Sequence, residues 1–419
     1  MKKSLTVNCG NVVILSDREN TLENYASILF NCGNVYVADS INAKLATLDV
    51  TYNCGNTTIV EAPKNPVEVK GLATISGDEY AGLFPVCEKA LVTPAGVPHL
   101  ASLEGMIVMG KLYYPEGAGS IPASIRAGGK VPYPADAKPI IGDAWLRPQD
   151  GGAWMPDTKY FIAGTAYALD AEYVNKLANQ GTSFVCGNIF LYEGMEPLLG
   201  KTFKGEKVTL IPDGYAFAKD GAPLMDLYAT CGKKVYVLND LTVQPRDARH
   251  ITRFESILVR KTAQLPLEHF DALESVIRAE KVELFEGELL NINGFQTLSH
   301  DMLKIANEQG IKYTIKVNGF LLIEDDVTDE DMRAIAAIKI NGAISAPGVT
   351  HMRLNQAASK VNGAILPSIS ELKKMVQDSP ENLTKTLGGM APGPIAKMLG
   401  IDPDEGSAST INCGNYVLI

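Results

Sequence analysis

The sequence lacks the long apolar runs and the excess of positive charge that two large classes of protein need. No stretch of 18 consecutive apolar residues occurs, and the basic start Met1–Leu5 is not followed by the apolar core of a signal peptide. We therefore expect a cytoplasmic chain with no membrane partner. The 38 Lys and Arg residues are outnumbered by 48 Asp and Glu residues, so the net charge is −10, and no local basic patch is evident. Because nucleic-acid binding depends on neutralising phosphates, this balance predicts no nucleic-acid partner.

The common signatures of catalysis and metal binding are also missing. The sequence contains no HExxH, no GxSxG, no phosphate loop ending in Gly-Lys-Ser/Thr and no CxxC pair. The five histidines are scattered, and seven cysteines, an odd number, argue against a secreted disulfide framework. We expect no catalytic residue, no metal and no cofactor. Whether the chain is an enzyme stays open, with the balance toward a non-enzyme.

A repeated four-residue motif is the main feature that is present. Asn-Cys-Gly-Asn occurs at 8–11, 31–34, 53–56 and 412–415, and shortened copies begin at Cys186 and Cys231, while Cys87 fits the same frame. Each copy precedes a short apolar run and then a turn residue, which predicts a strand. In consecutive units the cysteines would stack roughly 5 Å apart along a line. This arrangement favours a buried packing ladder over ligands that converge on a metal.

Later copies of the motif replace Cys-Gly by Asn-Gly. They begin at Asn293, Asn318, Asn341 and Asn362, and copies recur every 19–25 residues. Such a period predicts a solenoid in which each unit buries its apolar face against its neighbours. One strand per unit would give a long parallel sheet, with glycine supplying positive φ at a corner. The predicted fold class is therefore an α/β repeat solenoid of strand-plus-helix units, and the alternative is a parallel β-helix with helical insertions.

Helical signals lie between several of the predicted strands. Apolar residues follow a period near 3.6 over Leu267–Arg278, and Ser299 precedes a helical pattern that reaches Ala306. Thr328, with Asp331 three residues later, has the pattern of a helix N-cap. These segments favour units that contain a helix as well as a strand.

One segment carries a resemblance to a known family. Residues 45–53 read Leu-x-x-Leu-x-Val-x-x-Asn, which resembles the leucine-rich-repeat pattern Leu-x-x-Leu-x-Leu-x-x-Asn/Cys, and residues 335–340 match it in part. The likeness is architectural and covers about half the chain. It implies strand-plus-helix units, and it carries over no functional residue.

Proline usage and motif spacing divide the chain into segments. Residues 61–160 hold 12 of the 23 prolines, which remove donors from a strand ladder, so this part is predicted to be irregular. The predicted segments are 1–60 (N-terminal repeats), 61–180 (irregular repeats and a loop insertion), 181–367 (C-terminal repeats), 368–410 (a helical excursion) and 411–419 (a terminal repeat strand).

Both tryptophans, Trp145 and Trp154, lie in one Gly- and Pro-rich stretch, 142–157. They either plug the repeat where it is interrupted or belong to a protruding binding loop. The irregular 61–180 segment is also where the alternative function, an enzyme or a small-ligand-binding protein, would have its site. The candidate residues for that site are His99, Lys111, Arg126, Lys130, Asp143 and Asp150.

The first and last repeat strands, 7–15 and 411–419, resemble each other. The last strand either folds back over an end of its own solenoid or adds to the first strand of another copy. In the second case, deleting 411–419 should abolish any oligomer. We predict a non-enzymatic repeat scaffold that binds a protein partner or a second copy through its sheet face and terminal strands. The candidate contact residues are Trp145, Trp154, Val12, Ile14, Tyr416 and Leu418.

Overall fold

The structure of the chain is a computed structural model that describes residues 3–17, 20–150, 154–378 and 409–419. Its strands form five sheets, all of them parallel, and short helices connect the strands. Contacts divide the chain into two units, residues 1–210 with 401–419, and residues 211–400. The predicted combination of parallel strands with short helices is confirmed. The predicted boundary at 180/181 lies inside the first unit.

The first unit contains three sheets. Their strands are β1 Lys3–Ile14, β2 Tyr25–Ala38, β3 Asp49–Val60, β4 Pro66–Ile75, β5 Phe84–Val92, β6 Met106–Pro115, β7 Ile125–Tyr133, β8 Lys138–Ile140, β9 Ala144–Trp145, β10 Lys159–Ala168, β11 Ser183–Tyr192, β12 Phe203–Ile211 and, at the end of the chain, β22 Ser409–Leu418. The strand orders are β22-β1-β2-β3 in the first sheet, β4-β5-β6-β7 in the second, and β12-β11-β10-β8 in the third, where β9 also pairs with β10.

The second unit contains two sheets. Their strands are β13 Ala216–Ala218, β14 Lys234–Val237, β15 Leu241–Thr242, β16 Ser256–Pro266, β17 Ile277–Phe285, β18 Glu288–Leu298, β19 Tyr313–Ile323, β20 Ile335–Ser345 and β21 Ala358–Leu366. The fourth sheet has the order β13-β14-β16-β15, with β17 also on β16, and the fifth has the order β18-β19-β20-β21. One long sheet was predicted, but the strands are divided among five. Consecutive strands still neighbour each other within the fifth sheet.

Short helices link many of the strands. The α-helices are α1 Asp39–Leu45, α2 Ala171–Asn179, α3 Leu224–Cys231, α4 Pro245–Ala248, α5 Phe270–Glu274, α6 His300–Glu308, α7 His351–Ala357 and α8 Ile369–Asp378. The 3-10 helices are Thr21–Asn24, Pro94–Ser102, Pro148–Asp150, Glu196–Leu198, Arg249–Arg253, Leu267–His269, Asp331–Ala334 and Gly348–Thr350. No helix within the described ranges is long and apolar enough to cross a membrane.

The helix predictions hold in part. Ser299 caps α6, since its hydroxyl accepts a hydrogen bond from the Met302 backbone N–H at 3.3 Å. The helix predicted over Leu267–Arg278 is wrong at its end, because Ile277 already pairs with Ile257 as the first residue of β17. Tertiary strand pairing therefore overrides the helical period there.

The Thr328 signal marks a 3-10 turn, Asp331–Ala334, where an α-helix start was expected. Asp331 is almost fully buried, and its carboxylate accepts hydrogen bonds from the Thr328 N–H at 2.8 Å and hydroxyl at 2.7 Å. His300 Nδ1 lies 2.8 Å from the same carboxylate. Burial opposes ionisation of Asp331, but these hydrogen bonds outweigh it and lower the pKa of the carboxyl. The hydrogen bonds of Asp331 with Thr328 and His300 therefore hold the 3-10 turn against α6.

Apolar cores fill each unit separately. In the first unit, inward residues of the first sheet, such as Val7 and Phe30, pack in one cluster with Phe84 and Val86 of β5. In the second unit, Ile315, Val317 and Ile340 of the fifth sheet pack against the inner faces of the connecting helices. Alternation along a strand then leaves every second side chain for the outer face. The asparagine ladder of the fifth sheet lies on that outer face, whereas the cysteines of the first sheet pack with the apolar cluster.

Candidate binding surfaces

The last strand of the chain closes the first sheet. β22 pairs with β1 in parallel, and Asn412, Cys413 and Asn415 lie opposite Asn8, Cys9 and Asn11. Since β2 and β3 continue the same register, the four copies of Asn-Cys-Gly-Asn lie side by side. The resemblance between the two ends of the sequence therefore corresponds to pairing within one chain, the first of the two alternatives.

The four cysteines of these copies form one ladder across the sheet. Cys9 and Cys413 are joined by a disulfide with a Cα–Cα distance of 4.8 Å, and the Sγ atoms of Cys32 and Cys54 lie 2.7 Å apart. A ladder was predicted, but a disulfide within it was not. In-register pairing explains the bond, because it brings cysteines from the two ends of the sequence to the Cα separation that disulfides use. Burial, followed by the hydrogen bond with Cys54, raises the pKa of Cys32 to about 12.

We predict a specific order of cysteine labelling in the folded protein. Cys87 and Cys186 are almost completely buried, and burial raises the pKa of each to about 12. Because the thiolate is the reactive form, iodoacetamide at about pH 8 should label the partly exposed Cys231 well before these two. Peptide mass mapping measures the order. Labelling of Cys9 and Cys413 without a reductant would contradict their disulfide.

Asparagine side chains form ladders beside the cysteines. The Nδ2 atoms of Asn56, Asn34 and Asn11 each donate to the Oδ1 atom one strand back, at 3.3, 2.9 and 3.0 Å, and the series ends on Asn415. A second row joins Asn53 to Asn31 at 3.1 Å and Asn31 to Asn8 at 2.8 Å. Each amide thus satisfies its neighbour, which explains why the motif keeps asparagine on both sides of Cys-Gly.

The same device recurs in the second unit. Asn362, Asn341 and Asn318 donate to Asn341, Asn318 and Asn293 at 3.0, 3.4 and 3.2 Å. The ladder runs across all four strands of the fifth sheet, whose Asn-Gly motifs pair in register. Both units therefore carry rows of identical amides. The row of the fifth sheet is exposed, whereas the rows of the first sheet are partly buried and become exposed on β3.

Lysines occupy the outer position two residues before these asparagines. Lys316, Lys339 and Lys360 lie opposite one another on β19, β20 and β21. The row is not evident as a basic patch in the sequence, because the three lysines are more than 20 residues apart. The signal was nevertheless present as Lys-Val-Asn-Gly, Lys-Ile-Asn-Gly and Lys-Val-Asn-Gly beginning at those positions.

The candidate contact residues of the terminal strands differ in exposure. Val12 and Ile14 are fully buried, because β1 lies between β22 and β2 and these side chains face the core. Tyr416 and Leu418 are half-buried and pack against the same apolar cluster. In this arrangement Val12 and Ile14 have no surface that a partner could touch.

The two tryptophans have different surroundings. Trp154 is 8% exposed and packs edge-on against Tyr160 and Phe184, with ring centroids 4.9 and 5.3 Å away. Trp145 on β9 keeps part of its surface exposed, stacks on Tyr167 at 4.4 Å and carries the Arg147 guanidinium 5.2 Å from its ring centroid. Trp154 therefore plugs the core of the third sheet, whereas Trp145 caps an aromatic stack at its edge.

A cavity of about 520 Å³ lies beside α2, within the irregular segment. Its lining includes Trp154, Tyr173, Lys176 and Gln180. Of the residues proposed for a site in 61–180, none whose side chain is described lines this cavity, and the side chain of Asp150 lies outside the described part. Within the described ranges, no three His, Cys, Asp or Glu side chains are grouped so that they could hold a metal ion.

Comparisons with protein-family models, curated proteins and solved structures find no match to this chain. The leucine-rich-repeat likeness therefore stays a prediction.

Proposed function

We propose that this protein is a non-enzymatic repeat scaffold, a solenoid of strand-plus-helix units that binds a protein partner through its outer sheet faces. The observation that carries the proposal is the pair of in-register asparagine ladders, one on the first sheet and one on the fifth. A ladder repeats the same donors and acceptors at every strand. A surface of this kind matches a partner that lies along several strands.

The ladders fit binding better than catalysis on chemical grounds. A catalytic site brings different groups, such as a nucleophile and a base, within hydrogen-bond reach of one point. Here the groups are identical amides, each spaced from the next by one strand, and they already hydrogen-bond one another. Such amides are weak acids and bases, but each has a second N–H to offer a partner.

The closure of the first sheet bears on which partner is bound. β22 fills the open edge of β1 within the same chain. A strand from a second copy that paired with β1, as the similarity of the terminal strands would suggest, would have to displace β22 and break the Cys9–Cys413 disulfide. We therefore favour a different protein over a second copy as the partner.

Photo-crosslinking in the cells that make the protein tests this proposal. A benzophenone amino acid should replace Asn56 or Asn362, which end their ladders on β3 and β21 and are exposed. We expect the same protein adduct from both positions. The control position is Lys304, an exposed residue of α6 away from the ladder faces. Equal adducts from Lys304, or none from the ladder positions, would contradict the proposal.

The cavity beside α2 favours a second candidate, a protein that binds a small ligand in the 61–180 segment. Tyr173 and Trp154 supply aromatic surface there, and Lys176 and Gln180 supply polar groups. Ligand pockets commonly combine these features. A thermal-shift screen of small metabolites tests this candidate, and a true ligand should lose its effect in Tyr173→Ala.

A further inference from the structure

An open cleft of about 400 Å³ runs along the outer face of the fifth sheet. The lysine row, Lys316, Lys339 and Lys360, forms one side, and the asparagine ladder forms the other. Strand alternation places both rows outside, since Ile315 and Val317 point into the core on either side of Lys316. The cleft therefore has ammonium groups along one wall and amide N–H groups along the other.

The lysines are close enough to repel one another. They lie directly opposite on neighbouring strands, which are about 4.8 Å apart in a sheet. Like charges in this position destabilise a sheet. In the described part of the chain, Lys339 and Lys360 form no ion pair. Among the described residues, the charges of Lys339 and Lys360 thus lower stability with no ion pair to offset them.

Glu283 is the carboxylate that lines the cleft, and it lies at one end of the lysine row. Its Oε2 atom is 2.7 Å from Lys316 Nζ, and its Oε1 atom is 2.5 Å from Lys281 Nζ. Hydrogen bonds from Lys281 and then Lys316 lower the pKa of Glu283 to about 2. Glu283 is therefore ionised at neutral pH, and it shows how a carboxylate is held in this cleft.

The asparagine wall supplies a second set of donors. Each amide has two N–H groups, and the ladder uses one of them per residue. The second N–H of Asn341 or Asn362 is left for an acceptor in the cleft. An acidic peptide carries both kinds of acceptor, carboxylates on its side chains and carbonyl oxygens along its backbone.

We propose that this cleft binds an acidic segment of a protein partner, with the side-chain carboxylates on Lys339 and Lys360 and the backbone carbonyls on the asparagine amides. The inference rests on the proposed function in taking a protein as the partner. It adds the site and the charge of the segment that is bound.

The test measures binding of a fluorescein-labelled oligoglutamate peptide by anisotropy, at about 50 mM salt to limit screening. Lys339→Gln with Lys360→Gln should weaken binding by about tenfold or more, equivalent to at least one ion pair. Glu283→Gln should strengthen it several-fold, because this change removes a like charge and frees Lys316. The matched control is Lys304→Gln with Lys373→Gln, two exposed helix lysines outside the cleft.

The outcomes separate the inference from the proposed function. No binding by the unaltered protein, or equal weakening in the control, would overturn the inference. Tighter binding of inorganic polyphosphate or of an oligogalacturonate than of the peptide would overturn the choice of a peptide. If the Lys339/Lys360 variant failed to fold, the Glu283→Gln variant would still test the inference, because an affinity for the peptide that did not rise would overturn it. A cellular adduct at Asn56 without peptide binding by the protein would support the scaffold proposal and overturn the inference about the cleft.

Discussion

Replacing Gly33 by alanine should destabilise the first unit by about 3 kcal/mol, whereas Gly414→Ala should change stability by less than about 0.5 kcal/mol. Both glycines occupy the third position of Asn-Cys-Gly-Asn, in strands of the same sheet. The difference comes from what each added Cβ would meet. The same substitution in identical motifs is therefore expected to lower stability strongly at position 33 and hardly at all at position 414.

The cause is a close approach between neighbouring backbones. A Cβ on Gly33 would lie 2.6 Å from the carbonyl oxygen of Gly10, and one on Gly55 would lie 2.6 Å from that of Gly33. These oxygens belong to the backbone of a hydrogen-bonded strand, so they cannot move aside as a flexible side chain could. Gly414 is in β22, the first strand of the sheet, and its Cβ would meet nothing within 4 Å.

Gly10→Ala extends the test to the closure of the chain. Its Cβ would lie 2.5 Å from the Gly414 carbonyl oxygen, so its penalty depends on β22 being in place. Urea unfolding of the alanine variants at positions 10, 33, 55 and 414 measures the series. In a chain that lacks 409–419, the Gly10→Ala penalty should disappear while that of Gly33→Ala remains. Equal effects at positions 33 and 414 would contradict the strand order.

Strand register was predictable from the repeated motif, but the role of its glycine was predicted only in part. Gly319 and Gly342 in the Asn-Gly copies do adopt positive φ, 144° and 148°. None of the four Asn-Cys-Gly-Asn copies does. At Gly10, Gly33 and Gly55 the glycine is needed because a carbonyl oxygen of the neighbouring strand lies against it, as one also does at Gly319 and Gly342. A positive φ leaves a local trace in sequence as Asn-Gly. A close approach between strands depends on packing and leaves no such trace.

The binding surfaces show the same limit. The asparagine and cysteine rows follow from any in-register parallel pairing, because residues at the same place in each copy then come together. Predicting the disulfide also requires knowing that the last strand lies beside the first. The similarity of 7–15 and 411–419 suggested this pairing, but it was compatible with pairing within one chain or between two chains. The lysine row was encoded just as regularly as the asparagines. It was missed because a stacked sheet gathers charge from distant positions, whereas a basic patch was sought among neighbours.

Removing the last strand should have the second large effect. A chain ending at residue 408, with Cys9→Ser to avoid a new free thiol, should be less stable and should associate as its concentration rises. β1 would replace β22 as the edge strand of the first sheet, and the place that β22 occupies would be open to a strand of another copy. The apolar cluster would also lose the cover of Tyr416 and Leu418. Sedimentation across a range of concentrations and urea unfolding measure the two effects.

Cys413→Ser separates the cross-link from the strand. It keeps β22 but opens a disulfide between residues 404 apart in sequence, so by loop-closure entropy it should lower stability by about 6 kcal/mol. Reduction of the unaltered protein should have a similar effect. If Cys413→Ser stays monomeric while the truncated chain associates, then pairing with β22 is what keeps β1 from binding another copy. The disulfide then only holds β22 in place. If the terminal strands instead joined separate copies, the unaltered protein would be an oligomer and the truncation would abolish it. The sign of the change in mass therefore decides between a chain closed on itself and a chain that assembles end to end.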